Sequence, residues 1–159
     1  MRIVQIRFGE SEQKGMWREM IKQLEPHATF TDGVTAERLA QLERALTLPL
    51  PMELRALLSE SDGVTGQYGL HLIWSTDEIE KLNLQVREQP GFRSTYMPLD
   101  SLLFFADAGD GEWFALGIIE GSIKKPDVYV WNPIDDSRTW VAPSIQKYLD
   151  WWLTGKLKL

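Results

Sequence analysis

The sequence predicts an α+β fold, with N-terminal helices packed on a mainly antiparallel sheet that a C-terminal helix closes. Three observations lead there. Residues 15–86 repeat apolar side chains mostly at helical spacing, residues 102–141 hold short strand-like runs between turn residues, and the last stretch returns to helical spacing. Helices followed by a run of strands favour α+β over a parallel strand–helix stack. The 159 residues suit one domain spanning 1–159, long enough to bury a core without a covalent staple.

Trp17, Met20, Ile21 and Leu24 stand at i, i+3, i+4 and i+7, one apolar helical face, and Pro26 ends that helix. Thr35 reads as the N-cap of a helix to about Leu46, with Leu39, Leu42 and Leu46 inward. After the stiff Leu48-Pro49-Leu50-Pro51 joint, Pro51 fits the first turn of a third helix whose buried stripe is Leu54, Leu57 and Leu58. Asp62-Gly63 stops it, because glycine accepts the left-handed conformation of a helix end. Residues 70–74 read as a short strand. Ser75 and Glu78 form a capping-box pattern ahead of a helix carrying Ile79, Leu82 and Val86. Residues 87–101, with Pro90, Gly91 and Pro98, read as the longest irregular loop.

In the second half, residues 102–106 and 112–118 flank the turn Asp107-Ala108-Gly109-Asp110-Gly111, a hairpin pattern that needs glycine for its backbone. Residues 127–131 and 138–141 are the third and fourth strands, around Asn132-Pro133-Ile134-Asp135-Asp136. Pro143 opens a last helix with Ile145, Leu149 and Trp152 on one face. The expected core includes Trp17, Leu39, Leu42, Leu54, Leu57, Leu58, Leu149, Trp152 and most of the seven tryptophans.

Composition removes whole classes of function. The chain has no cysteine, which excludes disulfides, thiolate nucleophiles and cysteine zinc sites and suits a cytoplasmic protein. Arg7, Glu10 and Glu12 interrupt the apolar start, so no secretory signal is expected. No apolar run approaches the ~18 residues of a membrane span. A net charge of −6 argues against direct nucleic-acid binding. There are two histidines, and His71, in an apolar run, reads as structural. No zincin, phosphate-loop, nucleophile-elbow or dinucleotide motif is present, so neither catalysis nor a cofactor is expected. Asp107, Asp110 and Glu112 vaguely suggest a calcium loop. Ala108 and Gly109 break the alternation of ligands such a loop needs, so no metal is expected. Turn carboxylates usually bond their own backbone. A glycosidase pair from Asp110 and Asp135 turns on a separation that sequence does not give.

The charge is uneven. Residues 107–136 hold seven acids and two bases, nearly all of the net charge. Asp107, Asp110, Glu112, Asp135 and Asp136 are the candidate recognition surface, with Tyr68, Trp113 or Trp140 as an aromatic anchor. The competing reading is a solvated rim that keeps the protein soluble.

Several stretches resemble the SUKH superfamily, which is named from a fungal cell-wall-assembly regulator and its relatives. Residues 51–58 followed by Asp62-Gly63-Val64 are similar to its "LP-x-x-L-x-x-L … N/D-G" stretch. Residues 105–113 resemble its Gly/Asp hairpin turn, residues 128–132 its next strand, and residues 142–153 its final helix. The resemblance covers about residues 17–153. One departure is Pro133-Ile134 after Trp131-Asn132, where members often carry His and an acid. The resemblance implies an α+β fold and no catalysis. In bacterial members it implies an immunity protein that neutralises a toxin domain, often a nuclease, in the cytoplasm; in fungal members, a regulatory interaction protein. A third reading, apart from the resemblance, is a small metal-binding or hydrolytic domain using the acidic turns.

Overall fold

The computed structural model describes residues 15–159, so the N-terminal residues Arg7, Glu10 and Glu12 lie outside the described part. Its elements form six helices and two antiparallel sheets, an α+β fold. Helix α1 (Met16–Leu24) buries Trp17 and Ile21. Helix α2 (Ala36–Leu46) starts at Thr35, whose hydroxyl accepts from the Arg38 N–H at 3.1 Å. Helix α3 (Met52–Glu60) follows Pro51, which stands at the N-cap just outside the first turn. Its stripe of Leu54, Leu57 and Leu58 is fully buried, and such packing rather than propensity holds so short a helix. Among the described residues no helix is long and apolar enough to cross a membrane.

A small sheet threads between these helices: β1 (Thr29–Phe30), β2 (Val64–Thr65) and β3 (His71–Ile73), in the order β1-β2-β3. Strands of two residues carry no alternation, so the sequence pattern showed only the third. His71, expected to be structural, is exposed, and its Nδ1 lies 2.8 Å from Glu78 Oε2.

Helix α4 (Thr76–Glu88) carries the capping box: the Ser75 hydroxyl accepts from the Glu78 N–H, and Glu78 accepts from the Ser75 N–H. Residues 87–101 are more regular than expected. Pro90 opens helix α5 (Pro90–Thr95), where its missing N–H costs nothing, and Leu99–Ser101 is a 3₁₀ turn. Asn83 fastens α4 to the large sheet. Its amide donates to Ile79 O and Phe104 O at 2.7 and 2.8 Å and accepts from Phe104 N at 2.9 Å, so a fully buried polar group is satisfied.

The large sheet is a meander of β4 (Leu102–Asp107), β5 (Trp113–Gly117), β6 (Val128–Asn132) and β7 (Ser137–Ala142). Neighbouring side chains on a strand point to opposite faces, and both faces are covered. Trp113 meets Trp74, Phe104 and Trp131 at ring distances of 5.0, 5.2 and 5.7 Å. Phe114 meets Tyr148 and Trp152 of helix α6 (Ile145–Leu153) at 4.6 and 5.3 Å. Ser144, one residue after Pro143, caps α6, and Glu53 of α3 accepts from the Ile145 and Gln146 N–H groups. Burial pushes the Tyr148 phenol well up, with Asp107 adding to the shift, and its hydroxyl donates to Leu72 O at 2.9 Å. The Trp74 N–H donates to Phe105 O at 2.7 Å, at the bulge in β4, and so ties the two sheets together.

All expected core positions are buried except Trp152, which is half-buried beside Phe114. Only Trp17, Trp74 and Trp131 are fully inside; Trp140 is exposed. Fewer tryptophans serve the core than expected: Trp113 on β5 and Trp151 and Trp152 on α6 are half-buried at its margin.

Candidate functional site: an acidic and aromatic cleft

The β4–β5 hairpin is built by its own acids. Asp107 Oδ1 accepts from the Gly109 N–H at 2.9 Å, and Asp110 Oδ1 accepts from the Glu112 N–H at 3.2 Å. These are self-bonding turn carboxylates. Gly109 and Gly111 take φ of +93° and +97°, the backbone expected of them. A Cβ on Gly109 would also stand 3.2 Å from Leu70 Cδ1, so the hairpin touches the turn between β2 and β3 at this point.

That second turn, Gln67–Gly69, holds Tyr68 at φ 60°, ψ 24°, a left-handed conformation costly for a bulky residue. The strained backbone carries a ring that is 96% exposed. Between the two turns lies an open cleft of about 730 Å³. Half-buried Trp113, packed edge to face on buried Trp74, lines it together with Tyr68, Asp107, Asp110 and the His71–Glu78 pair.

The structure therefore brings Tyr68, Asp107, Asp110 and Trp113 to one place. Glu112 lines a different groove, with Trp140 and the C-terminal residues Leu157 and Leu159. The register Trp113↔Trp131 nevertheless sets the β6–β7 turn at the same end of the sheet as the hairpin. Burial pushes the Glu112 carboxyl up, and the nearby charges of Asp110 and Asp135 add to it. Asp135 is exposed, and its bond from the Ser137 N–H at 3.0 Å holds its carboxyl below the usual range. Trp140 lies along β7, donating to Asp127 at 2.9 Å and packing beside Trp151, away from the cleft.

Asp136 is engaged inside the protein. It accepts from Trp131 Nε1 at 2.8 Å and from the Met97 N–H at 2.9 Å, and pairs with Arg138 at 3.3 Å. Burial disfavours its charge, but these donors outweigh burial and hold its carboxyl below the usual range. Its φ of 58° marks a constrained corner. Sequence reasoning missed His71, Glu78 and Leu70 as cleft residues. The capping box pointed to Glu78, but not that its second oxygen reaches His71. Among the described residues no group of three or more His, Cys, Asp or Glu side chains is placed to hold a metal ion.

No curated protein matches the chain. Residues 36–149, from α2 into α6 and including both walls of the cleft, match the family SUKH_6, described as SMI1-KNR4 cell-wall. Because the match spans more than half of the chain and agrees with the α+β architecture, the protein belongs to the SUKH family of SMI1-KNR4 type.

Proposed function

We propose that this protein is a non-catalytic binding domain that neutralises a cognate bacterial toxin in the cytoplasm, and that the cleft between the Gln67–Gly69 turn and the β4–β5 hairpin is its contact surface. The observation that carries the reading is Tyr68, held out in solvent by a strained backbone across from Asp107 and Asp110. Strain in a turn that serves no core residue points to use at an interface. Exposed tyrosine with tryptophan beneath it is the side-chain chemistry of binding hot spots. The acids around it steer a basic partner, such as a nuclease with a positive substrate groove. Family membership supports the immunity reading, and Asp107 and Asp110 each spend one oxygen on their own turn.

The test is co-purification with a toxin domain encoded beside this protein's gene, followed by affinity measurement. Tyr68→Gly deletes the ring and suits the positive φ, so the domain stays folded. We expect it to weaken binding by at least about tenfold, the size of a hot-spot truncation. Wild-type affinity in Tyr68→Gly would move the interface elsewhere. Toxin activity unaffected by an excess of the wild-type protein would reject the immunity reading itself.

A further inference from the structure

A second concavity lies at the C-terminal end of α4, at the joint of α4, α5 and the Leu99–Ser101 turn. It measures about 460 Å³, within the range of small-molecule pockets. Arg87, Arg93, Asp100, Phe92, Tyr96 and Met97 line it.

Arg87 is the unusual member. Its Nη2 donates to Leu102 O at 3.2 Å, while its Nε is buried with no partner. It forms no ion pair among the described residues, and burial lowers its pKa, with Asp100 offsetting part of that. A half-buried guanidinium normally sits against a carboxylate that uses its fork of donors. Here no carboxylate is bonded to it among the described residues, although Asp100 lines the same cavity, and the Arg87 side chain forms part of the cavity wall. The walls are also held in advance. Arg138 donates to the Met97 and Pro98 carbonyls at 3.0 and 3.2 Å, the Met97 N–H donates to Asp136, and the Tyr96 hydroxyl donates to Pro133 O at 2.8 Å. Rigid walls lower the ordering cost of binding.

Two arginines and one acid leave a single net positive charge, and Phe92, Met97 and Leu99 supply apolar surface. That combination fits a monoanion on an apolar body better than a dianion such as phosphate. We propose that this cavity binds a small aromatic or aliphatic carboxylic acid, its carboxylate on Arg87 and Arg93 and its body against Phe92 and Met97.

The test is an NMR titration of the ¹⁵N-labelled protein in low-chloride buffer with benzoate, phenylacetate and hexanoate, and with benzyl alcohol as the neutral control. The expected result is saturable amide shifts confined to residues 86–100 with at least one acid and none with the alcohol. Arg87→Met should abolish them. Arg93→Gln, at an exposed position that leaves the fold intact, should weaken binding about threefold or more, as loss of one partly solvated charge contact does. Arg93→Gln also keeps the test decisive if Arg87→Met fails to fold. The proposal is overturned by no saturation with any of the three acids, by an equal response to benzyl alcohol, or by unchanged affinity in Arg93→Gln.

Discussion

The two acidic turns at one end of the large sheet have similar compositions and opposite uses. In the β4–β5 hairpin, Asp107 and Asp110 each commit one oxygen to their own turn and line the cleft beneath Tyr68. In the β6–β7 turn, Asp136 is surrounded by Trp131, Met97 and Arg138 and braces the segment leading into β4. The difference lies in what each turn finds beside it. Across from Asp107 and Asp110 stands the Gln67–Gly69 turn, with the cleft between them, whereas the β6–β7 turn lies against the chain after α5 and is tied to it. An acid-rich segment is thus part surface and part framework.

A core truncation sets the scale for a framework residue. Leu57→Ala, at a position 1% exposed, should lose about 2–5 kcal/mol of stability in urea unfolding. Asp136→Ala should fall near the lower part of that range, at about 2–3 kcal/mol, because it strands donors of Trp131, Met97 and Arg138. Asp110→Asn, which keeps a side-chain oxygen for its turn, should stay within about 0.5 kcal/mol of wild type. Equal losses from Asp136→Ala and Asp110→Asn would erase the distinction between the turns.

The pH dependence sharpens the same contrast. Asp136 has a depressed folded-state pKa, so its contribution is present above the unfolded carboxylate pKa and is lost as pH falls through the lower folded value. Glu112 is shifted the other way. Its folded form binds the proton more tightly, so its effect favours the unfolded state once pH rises above the folded pKa, and that penalty fades as pH falls through the same range. Unfolding midpoints followed from neutral to acid pH should therefore fall less steeply in Asp136→Asn than in wild type. Glu112→Gln should be slightly more stable than wild type at neutral pH, by less than about 0.5 kcal/mol, with the gain shrinking in salt. A Glu112→Gln variant less stable than wild type would show that its neighbours do not repel it.

Much of the frame was legible because it is local. Thr35, Ser75 with Glu78, and the Asp-Gly hairpin are short-range patterns, and each marks an element in the place the chain shows. The leucine stripe of α3 follows from helical spacing alone. What escaped was non-local or very short. Strand β1 exists only through pairing across more than thirty residues, as in Thr29↔Thr65, and β2, two residues long, pairs with β1 on one side and β3 on the other. Helix α5 hid among Pro90, Gly91 and Pro98, because proline at a helix start looks like a breaker in sequence. The candidate residues Tyr68, Asp107, Asp110 and Trp113 were named from type and charge, but their meeting in one cleft depends on the contact of Leu70 with Gly109. Asp136 was grouped with its neighbours because nothing local announces the Met97 N–H.

The most direct measurement is the association rate of the toxin domain with the double variant Asp107→Asn, Asp110→Asn, at low and at high salt. If the cleft acids steer a basic partner, the variant associates at least about tenfold more slowly than wild type at low salt, and the two rates converge as salt screens the field. Its unfolding midpoint stays close to wild type. Equal association rates at both salt concentrations, with the fold intact, would contradict the account and return the hairpin acids to a solubility surface.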